Sequence, residues 1–171
     1  MGPTLDLPCL RHIGVVVRAK MTVMHRIRRA VEADQRAITD MVRDARLNPR
    51  SLDWDRFVVA EADGELVGVA QMRQHPDGSQ ELASLVVQPS ARGGGVASDL
   101  IDALLADRAG QVFMLVDRKF ANHYQRWGFR PVAAAGLPRS VRRQYRIGQI
   151  VTGIGSLLLR RRIRLVPLRR A

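Results

Sequence analysis

A single cysteine, Cys9, excludes an intrachain disulfide in this chain of 171 residues and makes a reducing cytoplasm the expected compartment. No uncharged apolar run reaches the roughly 18 to 20 residues of a membrane span. The run Ile13 to Val17 is also shorter than a secretory h-region, which needs about 7 to 15 residues. Lysine is nearly absent: Lys20 and Lys119 stand against 26 arginines, an imbalance that genomic base composition accounts for without a binding role. Acid is missing from residues 139 to 171, which hold ten arginines, while residues 31 to 138 carry 12 basic and 15 acidic side chains. The net charge of +12 therefore lies at the two ends, and the middle of the chain is slightly acidic.

What is present is enough for one core: 46% of the residues are hydrophobic, and the length is that of one domain. The chain is organised around residues 82 to 106. Leu82, Ala83, Leu85, Val86 and Val87 form an apolar run of strand length that Pro89 closes, because proline cannot donate to a sheet ladder. Ala97, Leu100, Ile101, Leu104 and Leu105 recur at helical spacing, the stripe of a helix packed on a sheet. Between the two lies Arg92-Gly93-Gly94-Gly95-Val96-Ala97. A strand, a glycine turn and a helix start together form an anion site, since free backbone N–H groups and the helix dipole converge there. Neither common phosphate-loop pattern fits: no Gly-Lys-Ser/Thr follows the glycines, and position 98 is Ser98 rather than Gly or Ala.

Arg92, Gly95 and Ala97 instead meet Arg-x-x-Gly-x-Ala, behind the run Leu85-Val86-Val87-Gln88-Pro89. In this the sequence resembles the GCN5-related N-acetyltransferase (GNAT) superfamily. A second element, Tyr124-Gln125-Arg126-Trp127-Gly128-Phe129, is similar to the Tyr-x-x-x-Gly-Phe that closes that fold. The likeness spans about residues 25 to 133. It implies an α/β fold of the α+β type, with a mixed, mostly antiparallel sheet of six to seven strands and helices on both faces. It also implies acetyl-CoA as cosubstrate and no metal. Backbone amides of Gly93, Gly94, Gly95, Val96, Ala97 and Ser98, with Arg92, would hold the pyrophosphate, and Leu85, Val86 and Val87 would pair with the pantetheine arm.

The rest of the chain is read in order. Residues 1 to 24 form an N-terminal extension with Met21 and Met24 as alternative starts, 25 to 136 the acetyltransferase core, and 137 to 171 a basic helix and edge strand. His25 to Arg29 alternates as a first strand, and Ala37, Ile38, Met41, Val42 and Ala45 make a helix stopped at Asn48-Pro49. Phe57 to Glu61 and Leu66 to Met72 flank the hairpin signal Asp63-Gly64. Gln111 to Val116 is a strand, Arg118 to Trp127 a helix capped by Gly128, and Phe129 to Ala133 a further strand. In the tail, Ile147, Ile150, Val151, Ile154, Leu157 and Leu158 form a helical stripe between arginine groups. That stripe suits an anionic membrane surface, the domain itself or a second subunit. Ile163, Leu165 and Leu168 suggest an edge strand limited by Pro167.

Acetyl transfer to an amine needs a base, an oxyanion site and a proton for the departing thiolate. Glu81, at the start of the motif strand and eleven residues before Arg92, is the first base candidate, and His75 the second. The Val87 N–H is the expected oxyanion donor. Tyr124 is the expected acid, since a phenol of pKa about 10 stays protonated beside a thiol of about 8.5. The resemblance assigns Tyr124 the same role. It also places Asn48, Arg50 and Trp54 beside the acceptor. The family often carries asparagine seven residues before the tyrosine, where this chain has Asp117.

The leading expectation is thus an N-acetyltransferase that moves acetyl from acetyl-CoA to a primary amine, in a small molecule or peptide, by direct attack in a ternary complex. No cysteine in the motifs could carry an acyl intermediate. The alternatives are an aminoacyl-tRNA-acetylating toxin, contacting nucleic acid through its basic ends, and a non-catalytic acyl-CoA-binding or nucleic-acid-binding module. A homodimer is compatible with the tail.

Overall fold

The computed structural model describes residues 24–106, 108–159 and 163–171. The proposed extension before Met24 lies outside them, as does Cys9.

Seven strands form one sheet. They are β1 (Arg26–Arg29), β2 (Phe57–Ala62), β3 (Glu65–Gln74), β4 (Gln80–Val87), β5 (Val112–Asp117), β6 (Arg130–Pro131) and β7 (Leu165–Arg170). Their order is β1-β2-β3-β4-β5-β7-β6, with β4 and β5 parallel and the other pairs antiparallel. Helix α1 spans Gln35–Asp44, α2 Val96–Leu105 and α3 Arg139–Leu159. The β2–β3 hairpin turns where the sequence signals it, with Asp63 at φ 52° and Gly64 at φ 80°.

Side chains alternate across the sheet, so each strand feeds two cores. On one face Met72, Leu82, Met114 and Leu168 line up across four paired strands and pack under α2 through Leu100, Ile101 and Leu104. On the other face Val59 and Val69 pack with Ile38 and Val42 of α1, and Phe113 packs with Leu137 and Val141, the latter from α3. Helices thus cover both faces. Gly68 of β3 permits the close seat of α2, because a Cβ there would lie 2.8 Å from Val96 Cγ1.

Three expectations need correction. β7 is not an edge strand, since it lies between β5 and β6. Pro167 is tolerated there because its carbonyl accepts from Val132 N–H at 3.1 Å, so its ring nitrogen also faces the β6 side and removes no bond to β5. The strand expected over 129 to 133 is only Arg130–Pro131, cut short where Pro131 removes a donor. Finally, Arg118–Trp127 is wound as a 3-10 helix rather than an α-helix; Gly128 caps it at φ 82° as expected.

Candidate active site

Strands β4 and β5 pair only at Gln80↔Val112, Glu81↔Phe113 and Leu82↔Met114. Beyond Leu82 they part. The cause lies in β4: two steps along β3, from Val69 to Gln71, match three along β4, from Val86 to Ala83. The extra residue is a bulge at which Ser84 adopts φ 52°. Past it, the Gln88 N–H donates to the Val67 carbonyl of the β3 side at 2.9 Å. The peptide groups of Val87 therefore turn the other way, toward the gap, and its carbonyl accepts from Arg92 Nε at 3.1 Å. Leu85 shares that side, whereas Val86 faces β3.

The chain then reaches the glycine loop. Gly93 and Gly95 stand at φ 82° and 92°, and Gly95 is the N-cap of α2. Among the described residues, the N–H groups of Gly93, Gly94, Gly95, Val96 and Ala97 make no hydrogen bond, while Ser98 and Asp99 donate to the Gly95 carbonyl. A run of unpartnered amides at a helix start, beside Arg92, fits the pyrophosphate of a CoA.

The 3-10 helix Arg118–Trp127 closes over α2. Trp127 Nε1 donates to Asp102 Oδ1 at 2.6 Å, Arg126 donates to Ser98 Oγ, and the Arg126 guanidinium lies 3.8 Å from the Trp127 ring centre. Tyr124 packs against Trp127 and Phe129, with its hydroxyl unbonded among the described residues. Burial raises the Tyr124 pKa above its ordinary value, because a phenolate is poorly solvated there. Asp117 accepts from Lys119 N–H and lies 3.4 Å from Lys119 Nζ, so its charge is paired and caps the 3-10 helix. Asn122 is engaged with Gln125.

Glu81 is only 4% exposed. On the face of α1 and α3, its Oε2 accepts from His75 Nε2 at 2.8 Å and lies 3.7 Å from Arg73 Nη1. The two base candidates are thus in direct contact. Tyr124 belongs to the opposite face, packed with the cluster under α2, so the two sides of the gap carry different chemistry.

Of the acceptor-side residues, Asn48 and Arg50 are exposed in the loop after α1, and Asn48 Oδ1 accepts from Arg50 N–H. Trp54 is partly buried against Ile38, Val42 and Phe57, and its N–H is held by Gln35. Sequence reading missed Gln71, Arg73 and Ser84. The signal for Gln71 and Arg73 was two polar residues two apart on the buried face of an otherwise apolar strand; Ser84, on β4, carried none.

A parallel pair that parts at mid-strand, followed by a glycine-rich anion site at a helix start, defines a protein with the acetyltransferase fold. Residues 53–131 match the model of the acetyltransferase (GNAT) domain. No curated protein matches the chain. Among solved structures it is similar to N-acetylglutamate synthase from Neisseria gonorrhoeae, complexed with coenzyme A and N-acetyl-glutamate, at 22% identity and a TM-score of 0.66. That match covers 86% of this chain but 35% of the synthase, about a third of its length. Rv2747 from Mycobacterium tuberculosis, in complex with CoA, is similar at 22% identity over 85% of this chain and 98% of that one, with a TM-score of 0.63. Diaminobutyrate acetyltransferase EctA from Paenibacillus lautus, with its diamino acid substrate and coenzyme A, follows at 19% identity, 68% and 87% coverage and a TM-score of 0.53. At these identities the likeness is one of fold. Among the described residues no cluster of His, Cys, Asp or Glu could hold a metal, and no helix is long and apolar enough to cross a membrane.

Proposed function

We propose that the protein is an acetyl-CoA-dependent N-acetyltransferase acting on a primary amine, with amino acids as the acceptor class to test first. The observation that carries the reading is the gap between β4 and β5, which ends at the five unpartnered amides of the glycine loop. The amino-acid acceptor rests on the ligands named for the similar structures, N-acetyl-glutamate and 2,4-diaminobutyric acid.

In this reading the amides of Gly93 to Ala97, with Arg92, bind the pyrophosphate, the Ser98 amide being engaged by the Gly95 carbonyl, and Leu85 and Val87 offer peptide groups to the pantetheine arm. The amine nitrogen attacks the thioester carbon while the Val87 N–H steadies the oxygen that becomes negative. Glu81, ordered by His75 and Arg73, receives the amine proton. The carbon–sulfur bond then breaks, and the Tyr124 hydroxyl gives its proton to the thiolate.

A second reading, with aminoacyl-tRNA as acceptor, is favoured by one observation. Arg139, Arg143 and Arg146 are exposed at i, i+4 and i+7 of α3 and make no ion pair among the described residues. It requires affinity to fall steeply with salt, as phosphate neutralisation releases counterions.

The test is CoA release from acetyl-CoA across amino acids, polyamines, aminoglycosides, peptides and aminoacyl-tRNA, with Tyr124→Phe as control. Release with amino acids supports the reading, and release only with tRNA transfers it to the second. Tight acetyl-CoA binding without release across the panel overturns acetyl transfer to these amines and favours a non-catalytic module. Failure to bind acetyl-CoA overturns both readings.

A further inference from the structure

Four non-glycine residues described in this protein have positive φ: Arg46, Ser51, Asp63 and Ser84. Such a backbone is strained and persists only where its surroundings hold it. Two are explained locally. Arg46 follows the end of α1, and Asp63 sits in the β2–β3 turn. The other two, Ser51 at φ 55° and Ser84 at φ 52°, lie 33 positions apart in sequence, on a loop and in a strand. Neither belongs to a tight hairpin or a helix cap.

Both are held by one side chain. Gln71 of β3 is fully buried, at 0% exposure. In the amide orientation that satisfies both of its polar ends, its nitrogen donates to the Ser51 carbonyl at 3.0 Å. Its oxygen accepts from Ser84 Oγ at 2.8 Å and from Arg73 Nη2 at 3.0 Å. Arg73, 7% exposed, extends the network: Nη2 also donates to the Arg50 carbonyl at 3.2 Å, and Nη1 reaches Glu81. Arg73 Nε is buried without a partner, so the network is incomplete by one acceptor.

The three places this amide joins are those the proposed reaction must align. Ser84 is the bulge that parts β4 from β5 and turns the Val87 peptide toward the gap. Ser51 belongs to the loop on the acceptor side. Arg73 leads to the base candidate. We infer that Gln71 is a positioning residue that holds the β4 bulge and the acceptor-side loop in one geometry, fixing the acceptor relative to the oxyanion donor. The inference rests on the acetyl-transfer reading for its kinetic consequence, though not for the coupling itself. An apolar residue at position 71 would pack in the same volume, yet it would leave Ser51 and Ser84 free to relax to negative φ.

The test separates these layers. Gln71→Met keeps the volume and removes all three hydrogen bonds. Backbone hydrogen exchange in residues 47–53 and 83–87 is expected to accelerate together in this variant, with residues 96–105 unchanged, whether or not an acceptor is known. Acceleration in one segment only, or in neither, overturns the coupling. With an acceptor in hand, Gln71→Met is expected to lower kcat by about 10- to 100-fold and to raise the acceptor KM, since small misplacements carry large rate penalties. Its acetyl-CoA Kd should stay within about twofold of wild type, an expectation set by the distance of the glycine loop from the network. Adding Ser84→Gly, which adopts positive φ without help, should restore kcat but not KM. If Gln71→Met fails to fold, Ser84→Ala removes the same bond on the β4 side and should lower kcat in the same direction. Wild-type rates in Ser84→Ala, or in a folded Gln71→Met, overturn the positioning role. A wild-type protein that binds no acetyl-CoA instead overturns the acetyl-transfer reading and leaves the exchange result to decide the coupling.

Discussion

Trp127 Nε1 donates to Asp102 Oδ1 at 2.6 Å, and this bond, with that from Arg126 to Ser98 Oγ, fastens the segment that carries Tyr124 to the helix whose start is the glycine loop. The two halves of the proposed cofactor cleft, from sequence-distant elements, are thereby held at a fixed spacing. Trp127→Phe keeps the ring and deletes the donor. It is expected to lower stability by about 1 kcal/mol in a denaturant melt, the usual scale of a partly exposed hydrogen bond. It should also reduce kcat more than it weakens acetyl-CoA binding, because Tyr124 loses its brace.

Tyr124→Phe tests the acid itself. Turnover is expected to fall by about 10²–10⁴, the range for loss of a general acid or base, with acetyl-CoA affinity kept. Burial raises the tyrosine's folded pKa, so its protonated form persists to higher pH than in a free phenol. The alkaline decline in kcat owed to this group is therefore expected above about pH 10, the ordinary tyrosine value. A wild-type rate in the variant would remove the assignment.

Gly68→Ala places a methyl 2.8 Å from Val96 Cγ1 and 3.0 Å from Leu100 Cδ1. Both are side-chain methyls of α2, and the nearer, on the stiff β-branched Val96, must shift to make room. The variant should lose about 1–3 kcal/mol of stability, as overpacked cores do, and bind acetyl-CoA more weakly because the glycine loop moves with the helix. A thermal melt and a binding isotherm check both.

Arg28 grips Asp34 with two bonds, at 2.6 and 3.0 Å, and Glu61 with a third at 2.7 Å. The Arg28 hydrogen bonds are the main cause that holds the Asp34 carboxyl below its ordinary range. A lowered folded pKa means stability that is present above the unfolded value of about 4 and is lost as pH falls through the folded one. Arg28→Met is expected to cost about 1–3 kcal/mol at pH 7, less than a fully buried pair because Arg28 is partly exposed. The gap between variant and wild type should shrink below about pH 4 in urea melts taken across pH.

Much of this protein is legible in one dimension because its signals are local. The strand ending at Pro89, the three glycines, the stripe of α2 and the Asp63-Gly64 turn each depend on neighbours within a few residues. Their sequence spacing therefore specifies their geometry. The same locality placed Gly128 as a left-handed cap. It misjudged β7, where Pro167 reads as an edge signal; which side a proline's missing donor faces is settled by the partner strands, not by the residue.

The pairing of distant polar groups belongs to tertiary structure alone. No spacing rule joins Gln71 to Ser51 and Ser84, Trp127 to Asp102, or His75 to Glu81. The Gln71–Ser84 contact arises from the β3–β4 register and the bulge that shifts it by one residue, and Trp127 meets Asp102 through the packing of the 3-10 helix on α2. The sequence by itself determined where the glycine loop meets the start of α2. The register decided which side chains face the gap between β4 and β5 and how they are held.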